Sequence, residues 1–358
     1  MRYLMSALAL LAAAMPAAAT GRVPAPSEAE TALRLAADRI EAGYIVTSRA
    51  PVIAARLRRE ADGLRRRPRE GDALATEMTA LLRSLSADEH FGFRYSRQPM
   101  PEGMFDPPTA QAAEAARQRT ARINNFGVLK AERLPGNIGL IDLDQFTDPV
   151  VMRRPLAAAM DLLRHCDAMI IDLRYNGGGD ARGAALVASY FLPESPRRML
   201  VRFETRIPGE SLEIHSEGRL ESERFLDRPV YILTGPATFS AAEFLVATLR
   251  RTRSVVVVGT RTRGGANPVR RIRLTAHYGL MLPTTRGVTR DGGAQGAAIA
   301  PDILTEASQA QARATRTALA ALLAARPDDP LAERWRELLQ RDGEAAAANP
   351  AAGHGNDR

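Results

Sequence analysis

Two stretches in which every residue is apolar, Met169-Ile170-Ile171 and Val255-Val256-Val257-Val258, most constrain what this chain can fold into. A strand with one wet face alternates apolar and polar residues, whereas a strand covered on both faces loses that alternation. Strands of the second kind belong to parallel sheets sandwiched between helices. Strands are predicted at 127–132, 138–142, 168–173, 199–204, 230–233 and 254–258, and helical spacing fits 150–164, 181–191 and 240–250 between them. This alternation is that of βαβ units, so the fold class is α/β, with a core over 126–325. Beyond Arg270, antiparallel strands at 271–274 and 280–282 and helices near 306–325 and 330–340 are expected. A C-terminal unit, 326–358, then comprises a helix and an alanine-rich polar tail from 344 that is expected to be disordered.

Ahead of the core, Leu33, Ala36, Ala37, Ile40 and Tyr44, and again Met78, Leu81, Leu82 and Leu85, fall at helical spacing. They predict a small N-terminal helical subdomain over 28–95. Residues 96–125, with Pro99, Pro101, Pro107 and Pro108, are expected to be a linker or mobile arm. At the very start, Met1-Arg2, an apolar run from Tyr3 to Met15 and Ala17-Ala18-Ala19 have the pattern of a secretory signal peptide over 1–19. The run is shorter than the ~20 residues that span a bilayer. Export to a periplasmic or extracellular location is expected, with no stable membrane insertion after cleavage. Cys166 is the only cysteine, so no internal disulfide can form.

The chain of 358 residues has 49 Lys+Arg against 41 Asp+Glu, a net charge of +8, and Lys130 is its only lysine. Its densest basic run, Arg56 to Arg69, is interleaved with Glu60 and Asp62 and followed by Glu70, as on a solvated helix face. No aromatic platform for stacking bases accompanies it, and no nucleic-acid partner is expected.

Three segments can carry chemistry. Ile170-Ile171-Asp172-Leu173-Arg174-Tyr175-Asn176-Gly177-Gly178-Gly179-Asp180 runs from a buried strand through three glycines into a helix. Such a junction can present backbone N–H groups to an anion, or simply make a tight turn. Its spacing fits neither a dinucleotide fingerprint nor a phosphate loop. Val230 to Glu243 is again strand, turn and helix, with Ser240 at the helix mouth. That serine is placed as a nucleophile with a free N–H after it, and Ser240 with Glu243 equally fits a helix capping box. In Ser86-Ala87-Asp88-Glu89-His90-Phe91-Gly92, His90 follows two acids that can orient an imidazole. His165 ends a helix, His215 lies in a charged loop, His277 sits by a hairpin turn and His354 is in the tail. No His, Cys and carboxylate set has metal-ligand spacing, so no metal or other cofactor is expected.

Taken together, and with Phe126-Gly127-Val128, Leu134 to Gly139, Val258 to Ala266 and Ile299-Ala300-Pro301-Asp302 in the same order, these segments resemble the C-terminal-processing and tricorn-like serine peptidases. The nearer likeness is to the branch related to the interphotoreceptor retinoid-binding protein, which lacks a PDZ domain. The resemblance implies a ClpP/crotonase-like β-α-β core and an exported serine endopeptidase acting on a peptide or protein. It further implies Ser240 as nucleophile, His90 as general base, and Gly178 or Gly179 with Ala241 as the oxyanion hole. Where the C-terminal-processing branch carries a catalytic lysine this chain has Gly264-Gly265, and Lys130 lies in a different motif, which puts the general-base role on His90. Where a glutamate supports the histidine in the resembling branch, this chain has Gln295. An amide orients without offsetting an imidazolium, and Asp88, Glu89 or Asp291 are the alternatives for that role. The branch's namesake is a ligand carrier, so the competing expectation is a catalytically weak or inactive exported binding protein for a hydrophobic or peptidic ligand. Arg182, Arg263 and Arg286 lie near the motifs and can grip a substrate carboxylate or be surface residues.

Overall fold

The computed structural model describes residues 27–102, 119, 121–206, 210–265, 267–288 and 298–348. The expected signal peptide lies outside these residues, as do most of 103–120 and the end of the expected tail, 349–358.

The N-terminal unit contains α1 (Glu28–Gly43), α2 (Ala50–Leu64), α3 (Gly71–Ser86) and β1 (Gly92–Tyr95). Ser27 caps α1 by accepting the Glu30 N–H (3.1 Å), and α3 stops where Ala87 turns left-handed (φ 54°). Then follow β2 (Val128–Leu134), β3 (Ile138–Leu143), α4 (Pro149–Leu163), β4 (Ala168–Asp172), α5 (Ala181–Ser189), β5 (Met199–Thr205), β6 (Ser211–His215), β7 (Val230–Thr234) and α6 (Ala241–Thr252). The rest is β8 (Val256–Gly259), β9 (Val269–Arg273), β10 (Tyr278–Pro283), β11 (Thr285–Val288), β12 (Ile303–Leu304), α7 (Ala310–Ala325) and α8 (Ala332–Ala348).

The central sheet has the order β12-β8-β7-β4-β3-β2, parallel throughout except for β2 against β3. Its strands are covered on both faces, as their unbroken apolar runs require. Met169, Ile171 and Ile232 point into a core with Leu156, Leu186 and Leu245 of α4, α5 and α6. Ala168, Ile170 and Tyr231, one residue out of phase, point the other way against Ala314, Leu322 and Trp335 of α7 and α8. The α/β class is therefore observed.

The third core differs from expectation in its composition. Leu33, Ile40, Ile53 and Met78 pack with Phe91, just before β1, and Phe93 of β1, but also with Tyr278, Leu280 and Leu282 of β10. β1 pairs antiparallel with β10, which pairs with β9. The hairpin 269–283, assigned to the α/β core by sequence order, thus completes the N-terminal unit, because four residues of β1 alone offer the helices no sheet to cover.

β6, β11 and β12 lay outside the expected strands, and β5, β6 and β11 form a separate antiparallel sheet. His215 ends β6 and is not in a loop. α8 runs to Ala348, so the first residues of the expected disordered tail are helical.

Candidate active site

β4 and β7 are neighbours in a parallel sheet, so the turns at their C-terminal ends meet. Side chains fasten the two turns together. Thr238 donates to the Leu173 carbonyl (2.7 Å) and accepts the Gly235 N–H (2.9 Å), and the Phe239 N–H donates to the Asn176 carbonyl (3.1 Å). Asn176 is fully buried, and its amide donates to the Leu143 carbonyl (2.8 Å).

Ser240 follows in a conformation that residues with a Cβ rarely adopt, φ 56° and ψ −116°. Such a backbone costs on the order of 1–3 kcal/mol and persists only where surroundings impose it. Here Glu243 imposes it from the first turn of α6, accepting the Ser240 N–H (2.9 Å) while also holding the Gly264 N–H (2.8 Å) and the Thr262 hydroxyl. Burial pushes the Glu243 carboxyl up, against the lowering effect of those hydrogen bonds. Glu243 thus provides its half of a capping box, and the Ser240 hydroxyl faces His90, with Oγ 3.1 Å from Nε2. Capping and nucleophile readings are compatible, because a hydroxyl has one hydrogen to donate and two lone pairs.

His90 is buried between the two units. Its ring lies 4.5 Å from that of Phe239, and Gly265 closes over its edge. A Cβ at Gly265 would come within 2.7 Å of His90 Cε1 and 2.3 Å of Phe239 Cε2, so no side chain fits there. Asp88 accepts the His90 backbone N–H on Oδ1 (2.9 Å) and the Asn267 amide on Oδ2 (2.7 Å). Its Oδ1 lies 3.4 Å from His90 Nδ1, without the alignment of a hydrogen bond, and Nδ1 is buried with no hydrogen-bond partner. Burial alone would raise the Asp88 carboxyl, but hydrogen bonds from His90 and Asn267 outweigh it and hold the group below the usual aspartate range.

The glycines divide. Gly178 packs under the Ser240 turn, where a Cβ would meet the Phe239 carbonyl at 2.7 Å, and its N–H is engaged by Asn176 Oδ1 (2.8 Å). Gly179 and Ala241 line the open cleft with Ser240 and His90. Neither N–H has an acceptor among the described residues. The cleft measures about 710 Å³, and Phe203, Leu212, Ile214 and Phe244 form its apolar wall.

Glu89 faces away, toward Arg83 (3.2 Å) and Arg263 (3.5 Å). Gln295 and Asp291 lie outside the described residues. Arg182 lines the cleft but is paired with Asp180 (2.6 Å) and Asp148 (2.9 Å), and Arg286 pairs with Glu204 (3.0 Å). All three arginines proposed as carboxylate grips therefore have acidic partners. Lys130 pairs with Glu132 on β2. Asn267 and Glu243 had no expected role in the site; both are buried polar residues, Glu243 inside a motif segment and Asn267 one residue beyond the Val258 to Ala266 segment. Among the described residues, no group of three or more His, Cys, Asp or Glu is placed to hold a metal, and no helix is long and apolar enough to cross a membrane.

Residues 137–305 match Peptidase family S41. Over 136 residues the chain is 29% identical to the carboxy-terminal processing protease CtpA of Bacillus subtilis, covering 37% of this chain and 27% of the relative. It is 30% identical over 133 residues to the carboxyl-terminal-processing protease of Synechocystis, covering 36% and 29%. The chain therefore matches little more than a quarter of the length of these curated relatives. Among solved structures, a putative peptidase from Parabacteroides merdae superposes with a TM-score of 0.53 at 19% identity, covering 77% of this chain and 89% of the other. That similarity is one of fold.

Proposed function

We propose that this chain, whose residues 137–305 match Peptidase family S41, is a serine peptidase that cleaves peptide bonds through an acyl-enzyme on Ser240. The observation that carries this reading is the 3.1 Å approach of Ser240 Oγ to His90 Nε2 at the floor of an open cleft. A serine hydroxyl is a poor nucleophile until a base takes its proton. His90 Nε2 is that base: it receives the hydroxyl proton as Oγ bonds to the scissile carbonyl carbon, and the carbonyl π electrons move onto oxygen. The Gly179 and Ala241 N–H groups, with no other acceptor among the described residues, stabilise the oxyanion. Gly178, whose N–H is already engaged, has a packing role instead.

Collapse of the tetrahedral intermediate expels the amine, which takes the proton from the imidazolium. Water, deprotonated by the same imidazole, then attacks the acyl-enzyme and releases the acid. For Nε2 to accept, the ring hydrogen sits on Nδ1, facing Asp88 Oδ1 at 3.4 Å. Asp88 fills the supporting role for which the alternatives were Gln295, Glu89 and Asp291, and Asn267 positions it. The apolar wall suits substrates with an apolar side chain beside the scissile bond. The leader-like segment 1–19 supports action outside the cytoplasm.

The buried, unpartnered Nδ1 gives the competing binder reading its one specific support. Labelling with a fluorophosphonate separates the two. Reaction at Ser240 that is lost in His90→Ala supports the peptidase. Folded protein that neither labels nor cleaves a diverse peptide library, yet retains a ligand in Ser240→Ala, is a binder.

A further inference from the structure

A second cavity, of about 570 Å³, lies at the opposite end of the central sheet from Ser240, where β7 and β8 begin. Arg198, Arg228 and Arg253 line it, and Asp227 is the only carboxylate on its lining among the described residues. Among the described residues, no carboxylate oxygen lies within 4.0 Å of any of the three guanidinium groups.

Their hydrogen bonds go to main-chain carbonyls, which are dipoles without net charge. Arg228 donates to the carbonyls of Leu226 (3.4 Å), Arg164 and Cys166 (3.0 Å), and its guanidinium lies 3.8 Å over the Phe225 ring. Arg253 donates to the carbonyls of Phe225 (3.0 Å) and Arg228. That leaves Nη2 of Arg228 and Nε of Arg253 unspent, the latter buried with no partner, and the Arg198 guanidinium has none among the described residues. Burial lowers the proton affinity of Arg228 and of Arg253; Asp227 partly opposes this at Arg253, where the Arg228 charge adds to it, and Asp167 and Glu223, beyond hydrogen-bond reach, partly oppose it at Arg228.

Partly buried like charges with no carboxylate in hydrogen-bond reach destabilise a fold. Three guanidinium forks against one carboxylate leave an excess of two positive charges around a cavity of small-molecule size. Planar N–H forks match tetrahedral oxyanions well. We propose that this cavity is a binding site for a dianionic oxyanion of the phosphate type, separate from the Ser240 cleft and independent of the peptidase reading.

The test is a thermal-shift and calorimetric titration of the intact chain with inorganic phosphate, and with sulfate, acetate and chloride at matched ionic strength. Phosphate and sulfate raise the Tm saturably, as ligands of the folded state do. Acetate and chloride do not. Arg198→Gln, which removes a guanidinium with no hydrogen bond or ion pair to lose among the described residues, weakens phosphate binding roughly tenfold, the loss of about one charge-assisted hydrogen bond. Ser240→Ala binds phosphate as the unmodified chain does. No phosphate shift beyond that of chloride, equal effects of acetate and phosphate, or unchanged phosphate affinity in Arg198→Gln would overturn the proposal.

Discussion

Ser240 Oγ and His90 Nε2 lie 3.1 Å apart although 150 residues separate them in the chain. Each belongs to a different packing unit, Ser240 to the sheet end and His90 to the turn between α3 and β1. Their approach therefore depends on how the two units dock. The hairpin of β9 and β10, which enters the N-terminal core, is joined to the α/β core through Gly264, Gly265 and Asn267, the loop that closes over His90.

Removing either partner should abolish turnover. Ser240→Ala and His90→Ala are each expected to lower kcat by at least about a thousandfold. The double variant should be no worse than either single one, because the pair acts as a unit. Steady-state peptide hydrolysis on all three variants, with circular dichroism to verify folding, is the measurement. Additive losses would contradict a shared proton transfer.

Gly265→Ala places a methyl group where His90 and Phe239 already stand, and its Cβ would lie 2.7 Å from the imidazole. The ring must move, so kcat and the rate of fluorophosphonate labelling should fall by on the order of 10–100-fold, since displacement of a reacting group by about 1 Å has that effect. A rise in KM with kcat unchanged would place Gly265 in substrate binding instead.

Asn267→Ala leaves Asp88 Oδ2 buried without its donor, and a loss of about 1–3 kcal/mol in urea-unfolding stability is expected. Asp88 has a depressed folded pKa, so it contributes stability above the ordinary aspartate range that is lost as pH falls through the depressed value. The stability gap between the unmodified chain and Asp88→Asn should therefore close in acid. A gap that stays constant from neutral pH into acid would mean that Asp88 is not the coupled group.

Glu243 titrates with the opposite sign. Burial raises its folded pKa, so its contribution is full below the ordinary glutamate range and declines as pH rises through the raised value. Glu243→Gln should remove that slope from urea midpoints measured across mildly acidic to neutral pH. It should also lower kcat, because an amide cannot accept from Ser240, Thr262 and Gly264 together.

Local pattern alone was enough to place β4, β7 and the helix between them, because a strand buried on both faces and a helix with one apolar stripe leave different periods in the chain. It also marked Ser240 and His90, since a serine at a helix mouth and a histidine beside acids are chemically conspicuous wherever they fall. The pairing of these residues could not be read the same way. Whether Gly178 or Gly179 has a free N–H depends on the buried Asn176 side chain. The placement of Asp88 beside His90 depends on Asn267, which lies 179 positions beyond Asp88 and reaches it only when the β9–β10 hairpin closes the N-terminal core. Short β6, β11 and β12 likewise draw their stability from neighbours in space. Periodicity records what each segment must bury, and only tertiary structure decides which distant segment buries it and which polar groups are left free to react.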